Sequence, residues 1–285
     1  MKYLLWSLLL LILNAPINGQ RVDTQKIRDA LKTADCTEVE KSQIKVCKYD
    51  YPSNGLNVES VSFRPAGSGP FPGILLIPGY QRTALDQIHL GLSLARNGMA
   101  AVGVTQPGFG RSQGKADYVG PNTLRVLKEA YQKFKREPYV DSKRMGIYGF
   151  SRGGMAASLL AVQLDDLKAA VFGAGIYDFK RAHDEATIEG IRTNMESETG
   201  WTEAAIRERS SIFQMERLKC PVLILHGEKD INVPVSQAHL LRDRLTALKK
   251  DFEIQLFPDR EHGIGPEVTT LTVDFFKRRL QPGVK

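Results

Sequence analysis

Arg144-Met145-Gly146-Ile147-Tyr148-Gly149-Phe150-Ser151-Arg152-Gly153-Gly154 runs directly into Met155-Ala156-Ala157-Ser158-Leu159-Leu160-Ala161. Arg144 to Tyr148 is a short, mostly apolar run that reads as a buried strand, and Met155 to Ala161 reads as a helix. Between them stands Gly149-x-Ser151-x-Gly153, in the strand–turn–helix context that the nucleophile-elbow motif requires. A strand that turns at once into a helix strains the backbone of the central residue. Side chains two positions either side would collide with the crossing segments. Glycine at 149 and 153 removes those side chains, so the Ser151 hydroxyl is held out at the carboxyl edge of a sheet, over a helix N-terminus. The same residues also describe a glycine-rich turn with no chemistry, so the rest of the chain must decide.

Outward from this stretch, strands and helices alternate. Gly73-Ile74-Leu75-Leu76-Ile77 is an uninterrupted apolar strand, as expected where helices cover both faces of a sheet. Leu85, Ile88, Leu92 and Ala95 form a helical stripe that Gly98 terminates, and Ala100 to Val104 is the next strand. Leu124, Leu127, Tyr131 and Phe134 mark a helix with a basic outer face. Ala169 to Phe172, Val222 to Leu225 and Phe252 to Phe257 are further strands, with helices over Ser236 to Lys249 and around Val268, Leu271, Phe275 and Phe276. The alternation predicts an α/β class with a mostly parallel central sheet, right-handed crossovers and helices on both faces. Upstream, Val22 to Ala34 reads as a surface helix. Ser42 to Tyr51 and Leu56 to Phe63 read as strands joined at Pro52-Ser53-Asn54-Gly55, where Asn-Gly is a hairpin signal. Residues 176–215 are charged, helix-patterned and without a strand signal, and predict a small helical cap inserted over the carboxyl edge of the sheet.

Composition narrows the function classes. The chain has 285 residues, 42% of them hydrophobic and 25% charged, enough for one large α/β domain or two small ones. The formal charge of +7 is spread over helix faces and Lys277-Arg278-Arg279 without interleaved aromatics, so solvated faces are expected and a nucleic-acid partner is not. Met1-Lys2-Tyr3, the apolar run Leu4 to Leu13 and the small polar stretch Asn14 to Gly19 have the three-part pattern of a secretory signal peptide. The apolar run is shorter than the about 20 residues a membrane span needs, so residues 1–19 predict export to a periplasm or the exterior, with an uncleaved anchor as the alternative. In an oxidising compartment Cys36 and Cys47 can pair, with two free thiols as the alternative, whereas Cys220 opens an apolar strand and reads as an inert buried thiol.

A serine needs a base, an orienter for that base and donors for an oxyanion. In the elbow-type arrangement these follow in the chain order Ser, acid, His. That order leaves His239 and His262 as bases. His239 falls in a helical stretch, whereas His262 lies in Pro258-Asp259-Arg260-Glu261-His262-Gly263, a loop after the last strand. The acid should come from His226-Gly227-Glu228-Lys229-Asp230, where Asp230 is chosen over Glu228, with Asp259 a weaker candidate and a turn-capping aspartate the plain alternative. Oxyanion donors are expected from backbone N–H groups, one at Arg152 and one at Tyr80 in Pro78-Gly79-Tyr80-Gln81.

With these residues in place, the chain resembles the α/β-hydrolase superfamily. Within it the chain is similar to dienelactone-hydrolase-like proteins and to the catalytic domains of prolyl-oligopeptidase-type serine peptidases. Ile77-Pro78-Gly79-Tyr80, Gly149-Phe150-Ser151-Arg152-Gly153-Gly154, His226-Gly227-Glu228-Lys229-Asp230 with Val233-Pro234, and Glu261-His262-Gly263 carry the resemblance, which spans roughly residues 46–280. It implies a single α/β-hydrolase domain over residues 20–285. Two departures stand out. Pro78 occupies a position where many relatives have histidine, and Ser151 stands where dienelactone hydrolases proper have cysteine. A propeller domain of the peptidase type is not seen, so a size-filtering chamber is not implied.

The resulting expectation is an exported, carboxylesterase-like serine hydrolase that needs no metal or organic cofactor. A peptidase or amidase, a thioesterase, an acyltransferase and a non-catalytic binding protein on this fold are the alternatives. The substrate is expected to be a small molecule or peptide with an ester or amide bond. Tyr80, Arg111 and Tyr177 are candidate substrate contacts. Tyr177, Phe179, His183, Met195 and Trp201 either line a pocket or form the core of the cap.

Overall fold

The computed structural model describes residues 22–39, 42–281 and 283. The expected signal segment lies outside the described residues.

A nine-stranded sheet forms the centre. Its strands, with those of a short separate ribbon, are β1 (Cys36–Val39), β2 (Ile44–Lys48), β3 (Tyr51–Ser53), β4 (Leu56–Val58), β5 (Ser60–Arg64), β6 (Phe71–Ile77), β7 (Ala100–Val104), β8 (Val140–Phe150), β9 (Ala169–Gly173), β10 (Val222–Gly227) and β11 (Phe252–Phe257). The order in the sheet is β1-β2-β5-β7-β6-β8-β9-β10-β11. From β7 onward the neighbours are parallel, while β1, β2 and β5 join antiparallel. The helices are α1 (Thr24–Thr33), α2 (Ile88–Arg96), α3 (Pro121–Lys135), α4 (Arg152–Ala161), α5 (Phe179–Glu185), α6 (Glu189–Thr199), α7 (Glu203–Glu208), α8 (Ser236–Ala247) and α9 (Glu267–Leu280).

The alternation of β6 to β11 with helices leaves both sheet faces to be covered, and the core divides accordingly. On one face Leu75, Ile147, Ala170 and Ile224 pack with Leu127 and Phe134 of α3, Met155 of α4 and Leu241 of α8. On the other, Ile74, Leu76, Val171 and Leu225 pack with Ile27 of α1, Leu92 of α2 and Phe275 and Phe276 of α9. The chain leaves β6 outward to β7 and then returns to β8 on the other side of β6. That reversal opens a crevice at the carboxyl ends of β6 and β8, where ligands bind in open α/β sheets.

The amino-terminal strands differ from expectation. The two long strands expected over residues 42–51 and 56–63 are each broken. β3 and β4 form the hairpin, with Asn54 and Gly55 at φ of 49° and 77°, the backbone an Asn-Gly turn favours. β2 and β5 instead pair with each other within the main sheet. The break falls where Tyr49 N–H donates to Ser60 O and the Asp50 carboxylate accepts from Ser60 N–H, which bends the ribbon off the sheet. β1 was not anticipated, and the Cys36–Cys47 disulfide joins it to β2 at directly opposed positions.

Between β9 and β10 the chain builds α5, α6, α7 and a 3-10 turn over Ser211–Arg217. Phe179 and Met195 are fully buried in this segment, and Trp201 stacks on His183 at 3.9 Å between centroids. Phe179 and Met195 join the core on the α3, α4 and α8 face, with Trp201 packed against it, and do not line the cleft over Ser151.

Candidate active site

Ser151 sits between the end of β8 and the start of α4 with φ 58° and ψ −126°, a conformation that costs a non-glycine residue about 1–3 kcal/mol. The neighbouring glycines explain how the turn closes. A Cβ on Gly149 would fall 1.9 Å from Gly153 O, and one on Gly153 would fall 2.0 Å from Ile77 O. The turn is pinned from the sheet side as well, since Ser151 N–H donates to Gly173 O at 2.8 Å.

The loops after β10 and β11 converge on this serine. His262 Nε2 is 2.8 Å from Ser151 Oγ, and His262 Nδ1 is 2.7 Å from Asp230 Oδ2. The carboxylate can only accept, so Nδ1 carries the proton and Nε2 is left to accept from the serine hydroxyl. The Asp230 side chain is fully enclosed. Its Oδ1 accepts the N–H groups of Asn232 and Val233, both at 2.9 Å. Burial alone would raise the Asp230 pKa. The His226 and His262 side chains and the Val233 N–H outweigh it and hold the carboxyl well below the usual carboxylate range. Asp230 therefore stays charged beside an imidazole it can orient and stabilise.

The remaining sequence candidates separate. Glu228 and His239 take no part in this constellation. Asp259 pairs with Lys229 at the surface. Tyr80 lines the cleft, and the loop carrying it passes so close that a Cβ on Gly79 would meet Ser151 Cβ at 3.3 Å. The Arg152 N–H lies in the first turn of α4, where helix geometry leaves N–H groups without partners. Arg111 and Tyr177 are not brought to the cleft. Arg111 pairs with Asp50 at 3.1 Å and with Glu59 at 3.6 Å beside α1, because the loop after β7 folds back over the amino-terminal ribbon. Tyr177 is fully buried, because Gln237 accepts both its N–H and that of Asp178 and draws this segment onto α8.

Several residues at the site were not anticipated. The Arg152 side chain is buried, bonded to Glu198 of α6 at 3.0 and 2.5 Å, and capped by the Tyr118 ring at 4.5 Å and the Phe109 ring at 5.1 Å. Sequence offers no local signal for a pair 46 positions apart. His226 is fully buried, and its Nε2–H donates to Val233 O at 2.9 Å while lying 3.4 Å from Asp230 Oδ2. The motif that contains both residues was visible, but chain order removed His226 as a base and nothing then assigned it a supporting place.

A cleft of about 940 Å³ opens over Ser151. On the cap side Tyr118, Ile176, Ile188 and Ile191 line it. On the other side the lining is Gln87, Leu90, Tyr148, Phe150, Ile264 and Thr269.

A family model described as the prolyl oligopeptidase family matches residues 112–283, more than half of the chain and inclusive of Ser151, Asp230 and His262. The chain belongs to the prolyl oligopeptidase family. It is a serine hydrolase with the α/β-hydrolase fold. The uncharacterized peptidase YtmA of Bacillus subtilis is 28% identical over 224 residues, covering 76% of this chain and 86% of that one. The uncharacterized peptidase YuxL of the same organism is 29% identical over 227 residues, but this chain spans only 34% of its length. Among solved structures, the acylaminoacyl peptidase of Pyrococcus horikoshii superposes with a TM-score of 0.73 at 21% identity over 86% of this chain and 43% of that one. Acetyl xylan esterase 1 of Thermoanaerobacterium superposes with a TM-score of 0.69 at 18% identity over 90% of this chain and 92% of that one. At these identities the superpositions show a shared fold.

Proposed function

We propose that this prolyl oligopeptidase family member hydrolyses carboxylic esters through an acyl-enzyme on Ser151, with His262 as general base and Asp230 as its orienter. The observation that carries the reading is the unbroken chain Ser151 Oγ, His262 Nε2, His262 Nδ1, Asp230 Oδ2, with links of 2.8 and 2.7 Å.

Ser151 Oγ attacks the carbonyl carbon as its proton passes to Nε2. The Tyr80 and Arg152 N–H groups receive the oxyanion, in a site where such donors lower the barrier by several kcal/mol (about 3–4 each by analogy). Collapse of the tetrahedral species expels the alcohol, which takes the Nε2 proton. Water then enters by the same route to release the acid.

Amide hydrolysis is the second reading. It is favoured by YtmA, a relative named as a peptidase whose length this chain largely spans. A matched set of nitrophenyl esters and nitroanilides of the same acyl groups separates the two. Esters cleaved far faster than anilides, with both rates lost in Ser151→Ala, are expected. Anilide cleavage at the ester rate would favour the peptidase reading, and product formed only when an alcohol is added would favour acyl transfer.

Export is part of the proposal. The Cys36–Cys47 disulfide, which suits an oxidising compartment, and the apolar run of residues 4–13 support it. Amino-terminal sequencing of protein from the periplasm or medium tests it, and a retained Met1 in cytoplasmic protein would oppose it.

A further inference from the structure

Tyr148 lies on β8, three positions before Ser151. Its side chain points to the sheet face covered by α2 and α9, the same face as Phe150 two positions on, and it packs with Leu76, Val171, Leu225, Ile264 and Val268. The residue is 6% exposed, and what exposure it has is to the cleft it lines. Three other phenols are hydrogen-bonded within the protein, while the fully buried Tyr177 Oη has no partner among the described residues and does not reach the cleft. Tyr49 Oη donates to Glu137 Oε1 at 2.5 Å, Tyr51 Oη to Val126 O at 2.7 Å and Tyr131 Oη to Asp166 Oδ1 at 3.0 Å. The Tyr118 ring is held against Arg152. Tyr148 makes no such bond among the described residues, and burial alone acts on its phenol, raising its pKa. A phenol that opens only onto the cleft and is not used by the protein is free to hydrogen-bond a polar ligand atom there.

The chemistry at His262 says which part of a ligand. The Nε2 atom that takes the Ser151 proton must return it to the leaving-group oxygen as the acyl carbon–oxygen bond breaks. That oxygen must therefore sit within about 3 Å of Nε2, and the group attached to it must continue past the imidazole. The part of the cleft that continues there is bounded by Phe150, whose ring lies 5.5 Å from that of His262, by Ile264 and Thr269, and by Gln87 and Leu90 at the start of α2. Tyr148, two positions before Phe150 and on the same sheet face, lines the cleft with them.

We propose, resting on the esterase reading above, that this arm is the leaving-group subsite and that the Tyr148 hydroxyl hydrogen-bonds a polar atom of the departing alcohol. The substrates it selects are esters of alcohols or phenols that carry a second hydroxyl or comparable hydrogen-bonding group. Ile264, Val268 and Leu90 supply the apolar remainder of the arm.

The test uses phenyl acetates that bear a hydroxymethyl or hydroxyethyl group at the meta or para position, each beside its methyl or ethyl counterpart. All deliver the same acetyl-enzyme. Fluorophosphonate labelling first establishes equal active serine in wild type and Tyr148→Phe. Tyr148→Phe should then lower kcat/KM for at least one hydroxylated ester about fivefold or more beyond whatever it does to the alkyl counterpart. Equal effects on both series, or on neither, would overturn the subsite while leaving the esterase reading intact. Binding of the free phenols to Ser151→Ala protein, followed by NMR, gives the same discrimination without turnover. No ester turnover by labelled, folded protein would remove both readings, whereas turnover without Tyr148-dependent discrimination removes the subsite alone.

Discussion

The Arg152 guanidinium and the Glu198 carboxylate face each other in a two-bond pair that ties the residue after the elbow serine to the last turn of α6. Their side chains are 4% and 14% exposed, so the pair is effectively removed from water. Its partners reach further still, because Glu198 Oε2 also accepts the Tyr118 N–H at 2.8 Å. The cap is therefore fixed to the machinery by charge rather than resting on it.

Removing one partner strands a buried charge. Glu198→Ala is expected to cost about 3–5 kcal/mol of stability, while Arg152→Met with Glu198→Leu should recover most of that loss. Urea denaturation of the two variants checks this, and a loss in Glu198→Ala below about 1 kcal/mol would mean the pair is solvated like a surface bridge.

Asp230→Asn should lower kcat by about 10³–10⁴-fold with the fold retained, because an amide at that position favours the wrong imidazole tautomer. The acid's pH signature is separable from its kinetic one. Its pKa is depressed in the folded protein, so its stabilising contribution is present above the unfolded carboxylate pKa of about 4 and is lost as pH falls below it. The stability difference between wild type and Asp230→Asn should stay flat from neutrality down to about pH 4 and shrink only below that. A difference that already declines at about pH 6 would contradict the depressed pKa.

These sites differ in how far the chain announces them. The parallel sheet was legible because Gly73 to Ile77, Ala100 to Val104 and Val222 to Leu225 are apolar runs that only a doubly covered strand explains. Ser151, Asp230 and His262 were legible because the motif order constrains each on the others. Arg111 and Tyr177 were misplaced because sequence cannot say which way a loop folds. Glu59 and Asp50 draw Arg111 to the amino-terminal ribbon, and Gln237 draws the Tyr177 backbone inward. β1 and the breaks in the amino-terminal strands were missed because they rest on non-local bonds, such as the Asp50 carboxylate to Ser60 N–H.

The Cys36–Cys47 disulfide closes a loop with a sequence separation of 11. Reduction, or Cys36→Ser with Cys47→Ser, should cost about 2–3 kcal/mol in the chain-entropy account. Chemical denaturation with and without reductant measures it. Coincident curves would mean the bridge constrains nothing that the β1–β2 pairing does not already hold.

Cys220 should behave as a packing group. Burial pushes its thiol up to about 12, so little thiolate exists near neutrality. Iodoacetamide should label it only after unfolding. Rapid labelling of the folded protein would show that the β10 end opens.

Gly153→Ala tests the elbow itself, since its Cβ would fall 2.0 Å from Ile77 O, a main-chain atom that cannot swing away. Loss of activity with lowered stability is expected, whereas an active, equally stable variant would mean the turn has slack.

Labelling with a fluorophosphonate probe, followed by peptide mapping, bears most directly on the central assignment. One phosphonyl group on Ser151 of the wild-type protein is the predicted result, with no label in Ser151→Ala and labelling slowed by at least about 10³-fold in folded His262→Ala. A folded wild-type protein that takes no label, or takes it at another residue, would contradict the account.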